Sequence, residues 1–207
     1  MKISIFLLPF SIIYASNYPD FKNYEIKEIE ENFGKIAKNR IVDYSKTLET
    51  LKKIPQDEQL LRVNFYLNQL PFKPDIINNN NSDQWGTPKE FLACGYGDCE
   101  DYAIIKYFTL LKLGFEKEKL FITTSHEKYS AQAHMVLSYF KSKNEPPLIL
   151  DSISYKVLDL GKRVDLEAKI FINENGSYKI DGENNLIKVG DAPQKFKELL
   201  EKIRKES

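Results

Sequence analysis

The chain has 207 residues, two cysteines and two histidines, and its thirty basic and thirty acidic side chains balance to a net charge of zero. With Lys and Arg scattered and no basic stripe, it offers no field for nucleic acid or an anionic membrane, and nucleic acid is excluded as a partner. Two cysteines are too few for a disulfide scaffold, so at least one is expected to have a chemical task.

Lys2 opens a basic start, residues 3–14 are almost wholly apolar, and the small Ala15 and Ser16 precede polar Asn17. This reads as an export signal over residues 1–16, because a bilayer span needs ~20 apolar residues; the alternative is a buried N-terminal strand. Residues 17–207 form one domain by this reading, with no later segment apolar enough to span a membrane. Ile29, Phe33, Ile36, Ile41, Tyr44, Leu48 and Leu51 recur at near-helical spacing over 24–51, with Gly34 and Asn39 as possible breaks. A second helix is expected over 57–70, and the asparagine-rich stretch 71–83 reads as a loop.

Thr87, Pro88 and Glu90 carry the signature of a helix start: N-cap, first-turn proline and capping box. The next helix is expected from about Cys99 to Leu113, stopped by Gly114. Strand patterns follow at 120–124, 134–140 and 147–153, then a hairpin over 169–180 turning at Asn175-Gly176. An amphipathic helix over 191–205 closes the chain by burying Phe196, Leu199, Leu200 and Ile203. Helices first and strands afterwards give an α+β fold.

The candidate chemistry begins at Gly97-Asp98-Cys99-Glu100-Asp101. With Asp98 as N-cap, Cys99 stands at the first helical position, where the helix dipole and free amides lower a thiol's pKa and can receive an oxyanion. The alternative is an inert cysteine facing the core. A thiol nucleophile needs a base, and the base needs an orienting group. If the turn between the strands at 134–140 and 147–153 centres near Ser142 and Lys143, His134 falls opposite Asp151, within cross-strand reach. A one-residue slip would destroy that pairing. His126 is expected in an exposed loop, and Cys94 as a buried free thiol rather than a disulfide partner of Cys99.

Several motifs occur together and in order: Trp85-Gly86-Thr87-Pro88-Lys89-Glu90, Gly97-Asp98-Cys99-Glu100-Asp101-Tyr102-Ala103, Lys106-Tyr107-Phe108-Thr109-Leu110, His134-Met135-Val136-Leu137 and Pro147-Leu148-Ile149-Leu150-Asp151. They resemble the bacterial transglutaminase-like cysteine proteinases of the LapG type, over residues 24–180. The resemblance implies a papain/transglutaminase-like fold with N-terminal helices before an antiparallel sheet. It implies Cys99 as nucleophile, His134 as general base and acid, and Asp151 as orienter. It further implies a periplasmic endopeptidase that clips the N-terminal region of a large repeat-containing adhesin, releasing it and dispersing biofilm. An inner-membrane cyclic di-GMP receptor is the implied sequestering partner. Ser152 departs from the family, which tends to have asparagine after the aspartate.

Asp98, Glu100 and Asp101 crowd three carboxylates around Cys99 and by themselves oppose a thiolate. A hard cation would offset that charge, and oxygen ligands suit calcium. The resemblance implies calcium dependence, with Asp98 and Glu100 as the expected ligands and Asp101 as a weaker one. Without it, ordinary first-turn acids would be the simpler reading. Trp85 is expected either to line the substrate cleft or to anchor its loop, and Arg163, Asp165 and Leu166 match the family's run in an expected structural role. Two other readings remain open: transglutaminase or amidase acyl transfer on the same residues, and a non-catalytic peptide-binding module. A monomer is expected.

Overall fold

A computed structural model describes residues 18–74, 85–130 and 132–207. The export signal expected at 1–16, and most of the loop expected at 71–83, lie outside the described residues. Five helices pack with one seven-stranded sheet, so the fold is α+β, as the order of patterns implied.

Helix α1 (Asn23–Leu51) buries Ala37, Ile41, Tyr44, Leu48 and Leu51 along one face, the spacing of a single helical stripe. It kinks at Gly34, whose φ of 84° suits glycine, while Asn39 leaves the helix unbroken. Helix α2 spans Gln56–Leu67, and α3 spans Pro88–Cys94 behind the capping box of Thr87 and Glu90. Helix α4 (Cys99–Lys112) is buried continuously from Tyr102 to Leu110, because it runs through the middle of the molecule. Gly114, at φ 91°, follows its C-cap.

The strands are β1 (Leu120–Glu127), β2 (Ala133–Tyr139), β3 (Leu148–Asp151), β4 (Ser154–Asp159), β5 (Leu166–Asn173), β6 (Gly176–Ile180) and β7 (Leu186–Gly190). They form an antiparallel sheet in the order β4-β3-β2-β1-β5-β6-β7. Helix α4 lies against β1, β2 and β3, and their facing apolar side chains make the main core. Helix α5 (Gln194–Glu206) docks through Phe196, Leu199 and Ile203. Near its end, Glu206 accepts hydrogen bonds from the Tyr18 hydroxyl and from Thr87 Oγ1 (2.9 Å), and Lys89 Nζ joins Glu25 Oε1 (2.6 Å) to the Glu206 carbonyl (2.8 Å).

Several expectations need correction. The edge strands β4 and β7 carry no clean alternation: Tyr155 beside Lys156, and Ile187 and Val189 around Lys188, are exposed, so burial leaves no period-two signal. His126 is exposed, but it lies on β1 opposite Ala133 rather than in a loop. The hairpin turns at Glu174 and Asn175, with Asn173 paired to Gly176 and its Oδ1 accepting from the Asn175 amide (2.9 Å). Helix α2 stops at Leu67, and Pro193 delays α5 until Gln194. Among the described residues no helix is long and apolar enough to cross a membrane.

Phe196 is fully buried, with its ring 6.4 Å from Trp85 and 6.2 Å from Tyr107. Phe196→Ala should lose about 3–5 kcal/mol of unfolding free energy in chemical denaturation, whereas Lys195→Ala, on the same turn, should lose far less.

Candidate active site

Cys99 is presented by a loop that can close only because of two glycines. A Cβ on Gly97 would lie 2.5 Å from Asp101 Oδ2, and one on Gly86 would lie 2.8 Å from Asp101 Oδ1. Both backbones therefore fold tightly over the Asp101 carboxylate. Asp98 is the N-cap: its Oδ1 accepts from the amides of Glu100 (3.1 Å) and Asp101 (3.4 Å), and Asp101 Oδ2 accepts from the Asp98 amide (3.3 Å). The loop is further tied by the Lys73 amide donating to the Gly97 carbonyl (2.8 Å).

The thiol of Cys99 is half-buried and donates to Glu100 Oε2 at 2.9 Å. Burial first, then the Glu100 charge and this hydrogen bond, push it well above the ordinary thiol range, with only the Met135 amide acting the other way. The lowering expected from the helix start does not prevail over burial and a neighbouring carboxylate. That amide also places the sulfur beside the backbone of β2, one residue from His134.

His134 Nε2 bonds Asp151 Oδ1 at 2.7 Å, with both side chains buried. The pairing differs from the expected register. Leu137 faces Leu150, Ser138 faces Ile149 and Tyr139 faces Leu148, which carries Asp151 opposite Val136 rather than His134. The offset is two residues, so both side chains stay on one face and meet diagonally. Use of Nε2 by Asp151 leaves Nδ1 as the nitrogen available to a thiol.

Asp151 is the most constrained residue of the site. It is 0 % exposed; Oδ1 also accepts from the Ile153 amide (3.2 Å), and Oδ2 accepts from Arg163 Nη2 (2.8 Å). Its carbonyl accepts from Nδ2 of Asn68, the C-cap of α2 (2.7 Å). Burial would raise its carboxyl, but the hydrogen bonds and charges of His134 and Arg163 outweigh that and hold it at about 2. Arg163 is fixed in turn by Asp165, through Nε at 2.9 Å and Nη2 at 2.7 Å. Arg163 thus belongs to the site. Sequence reasoning placed it with the scaffold, since nothing in its spacing points to a carboxylate twelve residues earlier.

Other expected residues fall differently. Cys94 is free but exposed, not buried, because it sits at the end of the short α3. Trp85 is 7 % exposed and packed edge-on against Phe196, and its carbonyl accepts from Lys202 (3.2 Å). It anchors its loop in the core. Asp98, Glu100 and Asp101 are electrostatic neighbours: burial, then the charges of Glu100 and Asp101, push Asp98 up to about 7. Among the described residues, no three acidic, histidine or cysteine side chains converge as a ready-made metal cage. Asp98 is occupied in capping, Glu100 turns to the thiol and Asp101 fills the glycine cradle.

The depressed Asp151 carboxyl contributes stability that is complete above the unfolded value of about 3.9 and is lost as pH falls toward about 2. Arg163→Met removes one of the cations that hold it down. Acid unfolding followed by near-ultraviolet circular dichroism should therefore begin at higher pH than in the parent protein; an unmoved acid transition would show that Arg163 does not act on Asp151.

With that geometry in place, comparison with known proteins is direct. The family model for bacterial transglutaminase-like cysteine proteinases matches residues 36–163. LapG of Legionella pneumophila in its calcium-bound form superposes with a TM-score of 0.76 at 33% identity, covering 87% of this chain and 98% of that one. The EGTA-treated form of the same protein gives 0.75 at 34% identity, over 87% and 96% of the two chains. A third LapG structure gives 0.74 at 34%, over 89% and 97%. Among curated proteins there is no match. Matched by sequence through its helices and first strands, and by shape over most of its length, this chain belongs to the bacterial transglutaminase-like cysteine proteinases and has their fold.

Proposed function

We propose that this protein is a periplasmic, calcium-dependent cysteine endopeptidase with Cys99, His134 and Asp151 as its catalytic residues. The observation that carries the reading is the buried 2.7 Å bond between His134 and Asp151, with the Cys99 sulfur beside the adjoining Met135 amide. Asp151 fixes the imidazole so that Nδ1 takes the thiol proton as sulfur attacks the peptide carbonyl carbon. Asp98 already holds the amides of Glu100 and Asp101, which leaves the Cys99 amide itself for the oxyanion. The carbon–nitrogen bond then breaks, the imidazolium proton goes to the leaving amine, and water, deprotonated by His134, hydrolyses the thioester.

Glu100 on the thiol is the obstacle to this chemistry, since it holds sulfur in its protonated form. Hard carboxylate oxygens at Asp98 and Glu100, with Asp101 beside them, are the ligand type calcium takes, and holding the ion would require them to turn from their present hydrogen bonds. Bound there, the ion would offset the negative charge that opposes the thiolate. The existence of calcium-bound and EGTA-treated forms of the similar LapG supports the assignment. We extend the reading to the family's substrate and control: cleavage in the N-terminal region of a large repeat-containing adhesin, with an inner-membrane cyclic di-GMP receptor as the sequestering partner.

The test is incubation of the purified protein with the N-terminal segment of such an adhesin. One discrete cut is expected, and Cys99→Ala and His134→Ala should each lower kcat/KM by about 10⁴-fold or more. Amine incorporation in place of a cut would move the assignment to acyl transfer, and labelling of Cys99 by a thiol probe that survives His134→Ala would remove the triad. Chelation with EGTA should abolish the cut and lower Tm, and added calcium should restore both. Activity indifferent to chelator and to Asp98→Ala would eliminate the metal.

A further inference from the structure

The strand that carries Asp151 leaves its regular ladder where Asp151 sits. Pairing between β2 and β3 ends at Leu137 and Leu150, and the register of β3 with β4 shifts between Ile149 and Asp151. Asp151 then pairs with Ser154 across a turn of two residues, Ser152 and Ile153. A buried backbone carbonyl needs a donor, and here a side chain supplies it. Asn68 Nδ2 carries two N–H groups and donates to the carbonyls of both Asp151 (2.7 Å) and Ser154 (3.0 Å). One amide therefore bridges the two ends of the turn.

Asn68 is itself held in place. Its backbone amide donates to the Asn64 carbonyl (3.1 Å) at the end of α2, and its carbonyl accepts from the Tyr155 hydroxyl (3.2 Å). One helical turn earlier, Asn64 donates Nδ2 to the same Ser154 carbonyl at 2.8 Å. Two amides four residues apart thus meet the β3–β4 turn from one face of α2, but of the two only Asn68 donates to Asp151. Within the turn, Asp151 Oδ1 accepts from the Ile153 amide while it also bonds His134 Nε2. The path of the turn and the direction of the carboxylate are therefore linked. We infer that Asn68 is a positioning residue for the catalytic group: by clamping both ends of the turn, it sets where the Asp151 carboxylate meets the His134 ring. Arg163 holds the other oxygen of that carboxylate, and Asn68 holds the backbone from which the side chain springs. A displacement of about 1 Å in such a constellation can cost on the order of 10²-fold in rate. The inference rests on the assignment of Cys99, His134 and Asp151 above.

The test sets Asn68→Leu beside Gln59→Leu. Gln59 is a buried amide of the same helix, but its Nε2 donates to the carbonyls of Leu51 and Ile54 (both 3.0 Å), at the junction of α1 and α2. Each variant loses two hydrogen bonds to backbone carbonyls, so both should lower Tm. In proton NMR, the ring N–H of His134 held on the buried Asp151 should resonate downfield of an exposed ring N–H. That signal should shift or broaden in Asn68→Leu and stay in place in Gln59→Leu. On the adhesin segment, Asn68→Leu should lower kcat about tenfold or more with KM unchanged, and Gln59→Leu should keep the parent kcat. An unmoved His134 signal in Asn68→Leu, or equal losses of kcat in the two variants, overturns the inference. Should Asn68→Leu not fold, Asn68→Ala replaces it, and if neither folds, Asn68 is purely structural and the inference fails. Failure of the triad itself shows separately, as thiol labelling that survives His134→Ala.

Discussion

A carboxylate sealed from water is stable as an anion only where donors and cations surround it, and Asp151 meets that condition from three directions. His134 and Arg163 take its two oxygens, and the Ile153 amide closes the turn. Asn68 holds its backbone to α2. Because these partners come from β2, from the segment ahead of β5 and from the N-terminal helices, the anion fixes the relative positions of sheet and helices at the place where chemistry is proposed. Removing any one partner leaves a buried charge undercompensated, so stability and alignment are bound together here.

The opposite arrangement holds around the thiol. Around Cys99 carboxylates crowd together: Asp98, Glu100 and Asp101 share one helical turn, and the thiol donates to Glu100. Glycines at positions 86 and 97 admit the Asp101 side chain by having none of their own. The two halves of the site therefore differ in kind. The His134–Asp151 pair is satisfied by the chain's own partners, whereas the Cys99 thiol sits in a field that favours its protonated form. An enzyme built this way can be held silent by electrostatics with its fold intact.

Much of this was legible in sequence, and the reasons are specific. The α3 capping box, the Asp98 N-cap and the glycine after α4 are local events, each written within a few residues of sequence. The meeting of His134 and Asp151 was legible for a weaker reason: strand parity tolerates an even slip, so a register two residues out still put both on one face. What escaped depends on long-range placement. Edge strands have no buried face to impose a pattern. Trp85 reads equally well as rim or anchor until Phe196 arrives against it, and the partnership of Arg163 with Asp151 crosses from one sheet edge to the following turn.

The contacts of Glu206 bear on how such a protein comes to be finished. Thr87, which caps the helix just ahead of Cys99, and Tyr18, at the start of the described chain, both reach the end of α5 for a hydrogen-bond partner. During synthesis, the segment carrying Cys99 emerges roughly a hundred residues before that partner exists. Its loop is left without its last anchor until nearly the whole domain has left the ribosome. A nascent or C-terminally nicked chain thus lacks the clasp that steadies the loop, and order around Cys99 becomes a late product of translation.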